Sequence, residues 1–187
     1  MQKKSLFIKI LVPVLIITVV GIIWLVKNGS NDVELPIITE PTTDQLAGAD
    51  FSLDVTELVD YDALAEFGLP VIVDYGAHSC IPCKEMAPVL VTMNAEMQGK
   101  AFIKFVDVWE YYEAAANVPL QLIPSQVIFN PDGTPYEPSG NLIAQIGGFK
   151  LYSDENSGEH IFTVHEGGLT EEQILWSAAH SVSEWLR

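Results

Sequence analysis

Positive charge is scarce in this chain. Nine Lys and Arg stand against 25 Asp and Glu in 187 residues, for a formal net charge of −16. So acidic a chain repels phosphate backbones and anionic lipid headgroups, which excludes non-specific nucleic-acid binding and favours solubility. Cysteine is scarcer still: only Cys80 and Cys83 are present, too few for a disulfide-dense scaffold. The four histidines, at 78, 160, 165 and 180, show no paired metal spacing. A structural zinc site needs about four ligands, usually with a second Cys/His pair. No internal repeat is present, and the length suits one domain with a short appendage.

The few cations are unevenly placed. Lys3, Lys4 and Lys9 precede a charge-free apolar run, Ile10 to Val26, and Lys27 follows it. As a helix this run reaches roughly 25 Å, just short of the ~30 Å hydrocarbon core. Leu6 to Ile8 extend it, and the flanking lysines can snorkel to the interface. No small-x-small cleavage site and no lipid-accepting cysteine follow directly. Residues 6–27 are therefore read as an uncleaved transmembrane anchor rather than a signal peptide. The lysine bias leaves residues 1–5 in the cytoplasm and everything after Lys27 outside, on a bacterial cytoplasmic membrane crossed once. Beyond Lys27 five basic residues face all 25 acids, a net charge of −20.

Residues 28–55, acidic and interrupted by Pro36 and Pro41, read as a tether to a domain spanning 56–187. Within that domain "VTELVDYDALAEFG" has helical periodicity, closed by Gly68 and Pro70. "VIVDY" (71–75) reads as a strand covered on both faces. A long helical pattern runs from the cysteines to about Gly99, with Pro88 inside it and a kink expected there. "AFIKFVDV" (101–108) and "SQVIF" (125–129) read as further strands, with "WEYYEAAANV" a helical turn between them. The stretch 134–159 is rich in Gly, Pro, Ser and Asn around one apolar island, "LIAQIGGFKLY". "HIFTVH" (160–165) is the last strand. A terminal helix follows, with Thr170 and Gln173 spaced as a capping box. This order implies an α/β fold, one mixed sheet flanked by helices, with 134–159 inserted before the last strand.

A lone CxxC has three uses: half a metal site, a structural staple, or a redox dithiol. The loop it closes is too short for much entropic stabilisation of the fold. At a helix start it supports chemistry. Free backbone N–H groups and the helix dipole favour a thiolate on Cys80, and the thiolate is the species that attacks disulfides. Cys83, one turn later on the same face, is placed to attack the resulting mixed disulfide and release the reduced substrate.

"PVIVDYGAHSCIPCKEMAP" (70–88) resembles the active-site segment of the thioredoxin family: a strand ending in Asp, then a CxPCK segment, then Pro eight residues after the first Cys. The resemblance covers about 56–133 closely and resumes at 160–187. It implies a buried base in Asp74 and a cation, Lys104, pairing with it. It implies a cis proline, Pro124, in Ile123-Pro124-Ser125, facing the cysteines. It further implies a substrate surface formed by Ile123, Ser79, Ile81 and Pro82, no metal, and no cofactor beyond the dithiol. Departures are His78-Ser79, where the family has Trp before the first Cys, and Ile81-Pro82 in place of Gly-Pro. Ser79 is a candidate helix cap and His78 a candidate electrostatic neighbour of the thiol, or a plain solvent-facing loop residue.

Cys83 and Pro124 are 41 residues apart, the length of an uninterrupted thioredoxin core. "PSQVIFNPDGTPY" and "FTVHEGGLTEEQIL" resemble membrane-associated thioredoxins that work beside CcdA/DsbD-type electron carriers. The implied function is reduction of exported protein disulfides, apocytochrome c among them. An oxidase or isomerase of the same fold, and a non-catalytic anchored module, are the alternatives.

Overall fold

The computed structural model describes residues 45–175. The proposed anchor, most of the tether and the terminal helix beyond Leu175 lie outside the described residues. Among the described residues no helix is long and apolar enough to cross a membrane.

In chain order the elements are α1 (Tyr61–Ala65), β1 (Val71–Gly76), α2 (Ile81–Glu96), β2 (Phe102–Asp107), a 3-10 turn (Tyr112–Ala115), β3 (Ser125–Phe129), α3 (Gly140–Ile146), β4 (Phe149–Ser153) and β5 (His160–Glu166). The sheet runs β2-β1-β3-β5-β4. β1 and β2 are parallel, whereas β3 is antiparallel to β1 and β5, and β4 is antiparallel to β5. The expected mixed α/β sheet is thus present. Every residue of β1, β2 and β3 is buried, as their apolar runs require when both faces are covered.

Alternate side chains on these strands enter two cores. On one face Ile72, Ile103 and Ile128 pack under α2 through Met86, Leu90 and Met93. Met86 and Met93, two helical turns apart, therefore serve packing. On the other face Val71, Val73, Tyr75, Phe102, Val106 and Val127 meet Val59, Ala114 and the half-buried Phe51, Leu64 and Phe67. Burying one such side chain stabilises by roughly 1.5–3 kcal/mol, so both cores contribute heavily.

The first helix is shorter than the periodicity of 55–68 predicts. Val55 N donates to Phe105 O and Phe105 N to Leu53 O, which commits this segment to the margin of β2 before a helix can begin. Asp60 then caps α1 by accepting from Ala63 N at 3.0 Å. Residues 46–55, read as the end of the tether, thus lie against the sheet, with Phe51 stacked on Phe102 at 4.7 Å.

α2 runs through Pro88 without a break. The inserted segment holds α3, capped by Ser139 Oγ at 3.2 Å from Leu142 N, and the edge strand β4. β4 is half exposed and carries Lys150, paired with Glu166 at 2.9 Å. A charge on an edge strand discourages pairing with other chains. The capping box forms as read: Thr170 N donates to Gln173 Oε1 at 2.9 Å, and Gln173 N to Thr170 Oγ1 at 3.3 Å.

Candidate active site

β1 delivers the chain to the site. After Gly76 the strand ends, Ala77 and Cys80 close a turn, and Cys80 becomes the N-cap residue of α2 with extended backbone. Its Sγ accepts from Cys83 N at 3.4 Å. Cys80 therefore caps the helix itself, in the position the sequence offered to Ser79. Ser79 lies exposed outside the helix. Pro82 occupies the first turn, where its missing N–H costs nothing.

Cys80 and Cys83 form a disulfide, with Cα atoms 5.3 Å apart. Cys80 keeps 7% exposure against 4% for Cys83, so the pair is nearly level in this oxidised state. The rim around Cys80 is open: Ser79, Ile81 and Pro82 are all exposed. Ile123 packs against Ala77, Cys80 and Cys83, and the Ile123–Pro124 peptide is cis. Pro124 is itself buried, and its carbonyl accepts from Gly167 N at 2.9 Å. The loop before β3 thus meets the cysteines through Ile123.

His78 is exposed, its ring 5.1 Å from that of Phe105. Its backbone N–H donates to Asp107 Oδ2 at 2.8 Å, while Asp107 Oδ1 accepts from Trp109 N and Glu110 N. Burial works to raise the Asp107 pKa, but these N–H bonds outweigh it and hold the carboxyl below its ordinary value. Asp107 therefore ties the loop before the cysteines to the end of β2. The sequence reading missed it, although a carboxylate closing a strand was the available signal.

Asp74 is buried to 1% exposure under the dithiol. A β-carbon added at Gly76 would stand 3.2 Å from Asp74 Oδ2 and 3.4 Å from Cys83 Cβ. That oxygen and Cys83 therefore border the same glycine, and the oxygen has no hydrogen-bond partner among the described residues. Burial pushes the Asp74 pKa up to about 7, with a hydrogen bond from Gln126 working the other way. A carboxyl poised near neutrality can take a proton and return it.

Lys104 does not pair with Asp74. The parallel register sets Lys104 against Val73 and Phe105 against Asp74, so the two side chains enter opposite faces of the sheet. Lys104 Nζ instead donates to the carbonyls of Asp50 and Ser52, at 2.6 and 2.7 Å, and lies 3.8 Å from Asp50 Oδ2. Desolvation lowers its pKa, and the Asp50 charge partly restores it.

What meets Asp74 is a pair the sequence reading did not single out. Gln126 Nε2 lies 2.6 Å from Asp74 Oδ1, and Gln126 Oε1 lies 2.7 Å from His165 Nδ1. His165 is buried, and desolvation lowers its pKa to about 4 against a smaller opposing effect of Glu166. Among the described residues no group of His, Cys, Asp and Glu is arranged to hold a metal ion.

Residues 57–146 match the family model described as "Thioredoxin". The thioredoxin of Staphylococcus aureus (strain Mu50 / ATCC 700699) is 38% identical over 89 residues, covering 44% of this chain and 84% of that relative. Among solved structures, a chloroplastic thioredoxin z aligns at 21% identity and a TM-score of 0.44, over 71% of this chain and 97% of that one. A thioredoxin of Malassezia sympodialis aligns at 20% and 0.45, over 70% and 91% respectively. The bacterial relative is matched over most of its length, and the matched region of this chain carries a bonded CxxC at a helix start above a buried carboxyl. The chain belongs to the thioredoxin family and is a thiol–disulfide oxidoreductase that works through Cys80 and Cys83.

Proposed function

We propose that this protein is a membrane-anchored reductase acting outside the cytoplasm, drawing electrons from a CcdA/DsbD-like membrane carrier and passing them to disulfides of exported proteins. The observation that carries the placement is the lysine-bracketed apolar run Ile10–Val26 ahead of a redox domain. The dithiol supplies the chemistry. Cys80, at the helix N-terminus, attacks a substrate disulfide, and Cys83 then displaces the reduced substrate. The open rim of Ser79, Ile81 and Pro82 offers a surface for a protein substrate rather than a closed pocket for a small one.

Two measurements test this. Protease added to intact spheroplasts should remove the redox domain, and protection of the domain would contradict the orientation. Cys83→Ala in the full chain should accumulate mixed disulfides on Cys80, which mass spectrometry identifies. Exported proteins and a membrane carrier among them support the reading, and exclusively cytoplasmic partners overturn it. A reduction potential near about −270 mV fits a reductase, whereas one near about −120 mV fits an oxidase.

A further inference from the structure

The amide of Gln126 lies between Asp74 and His165. Its orientation follows from its neighbours. An ionised carboxylate only accepts, so the Gln126 NH2 faces Asp74 Oδ1 and its carbonyl faces His165. His165 is neutral when buried, and to meet that carbonyl it must carry its single proton on Nδ1. The far end of the chain is closed by the inserted segment. Phe149 packs edge-on against His165 at 5.0 Å, and Glu166 N donates to Gly148 O at 2.9 Å. A β-carbon at Gly148 would stand 2.9 Å from His165 Nε2 and 2.7 Å from Glu166 O, and Gly148 has φ of +71°. Glycine there lets the backbone close over the imidazole.

We propose that Gln126 and His165 are positioning residues of the exchange reaction: His165 orients the Gln126 amide, and the amide occupies Asp74 Oδ1 so that Oδ2, unpartnered among the described residues and bordering Gly76 as Cys83 does, exchanges the proton. In the resolving step the Cys83 S–H proton passes to Asp74 Oδ2. The Cys83 sulfur bonds the Cys80 sulfur, and the bond from Cys80 to the substrate sulfur breaks. The substrate leaves as a thiolate, reduced by two electrons, while the Cys80–Cys83 pair is oxidised. Around Asp74, α2 presents Cys83, β3 presents Gln126, and β5 presents His165 through that amide, whereas β2 presents Ile103 and Phe105. Lys104 lies on the other face. The inference rests on dithiol exchange alone, and on neither the cellular placement nor the direction proposed above.

The test uses the reduced full chain in mild detergent with 5,5′-dithiobis(2-nitrobenzoate), whose coloured thiolate is released once by Cys80 and once by Cys83. The second release, followed by stopped flow, should rise through a midpoint near pH 7, the value to which burial brings Asp74. Gln126→Met removes a donor to the ionised form, so the midpoint should move up by about one pH unit. At pH 7 the second phase should then slow about fivefold, with the first phase unchanged. His165→Leu should shift the midpoint in the same direction by less, and His165→Asn, which keeps an N–H near the Nδ1 position, should restore it. Unchanged midpoints in both Gln126→Met and His165→Leu overturn the proposal. If Gln126→Met does not fold, equal midpoints in His165→Leu and His165→Asn overturn it. A wild type lacking any second phase would instead overturn the exchange reaction itself.

Discussion

Asp74 and Lys104 are buried on neighbouring strands, one register step from being opposite each other, and the sheet keeps them apart. On the α2 face one carboxyl oxygen meets a neutral amide and the other, bordering Gly76 as Cys83 does, has no hydrogen-bond partner among the described residues. On the other face the ammonium is held by two backbone carbonyls and Asp50. A buried charge with ample partners stays charged and stiffens what it touches. A buried charge with few partners gives up its charge near neutral pH and becomes useful for moving protons. The chemistry and the scaffolding therefore occupy different faces of one sheet.

The largest expected effect tests whether one face carries all the chemistry. Cys80→Ser should reduce turnover of insulin disulfides to background, and a variant that kept full turnover would remove the dithiol from the mechanism. Asp74→Asn should slow the second thiolate release at pH 7 about tenfold or more and abolish its midpoint. The same variant should be more stable than wild type at pH 7. The native Asp74 pKa of about 7 lies above its ordinary value of 3.8, so the folded state holds the extra proton and stability falls as pH rises between those values. The slope integrates to about 4 kcal/mol at most, readable as a Tm increase.

Lys104→Met is the converse. It strands the carbonyls of Asp50 and Ser52 and should cost about 2–3 kcal/mol in urea unfolding, while the pH midpoint of the second phase stays where it is. A shifted midpoint would mean the faces communicate. The smallest effect is a cancellation. His165 has its native pKa lowered from 6.5 to about 4, so its contribution to stability is lost as pH falls through that window. Asp74 and His165 thus impose opposite slopes between about pH 4 and 6.5. Wild-type stability should vary little there, and Asp74→Asn should expose a positive slope from the histidine.

The sequence made β1 and β3 legible because both are short apolar runs bounded by turn residues. It made the helix start legible through Cys80, Pro82 and the strand before them. The failure at Lys104 has a simple cause. A side chain changes face with every residue, so identifying a strand without its register leaves its partners undetermined. Gln126 and His165 were legible only as letters in motifs, since 39 residues separate them along the chain. "LIAQIGGFKLY" resisted reading because its apolar residues serve a helix and then a strand, with only Gly147 and Gly148 between them.

The backbone contact at Gly148 ties two parts of the sequence into a single heritable unit. The imidazole at position 165 is covered on one side by the inserted segment, through the backbone at Gly148 and the ring of Phe149. A descendant that trimmed the segment would wet that side of the histidine and loosen the amide it steadies. Engineers transplanting this redox centre should carry the segment along with it.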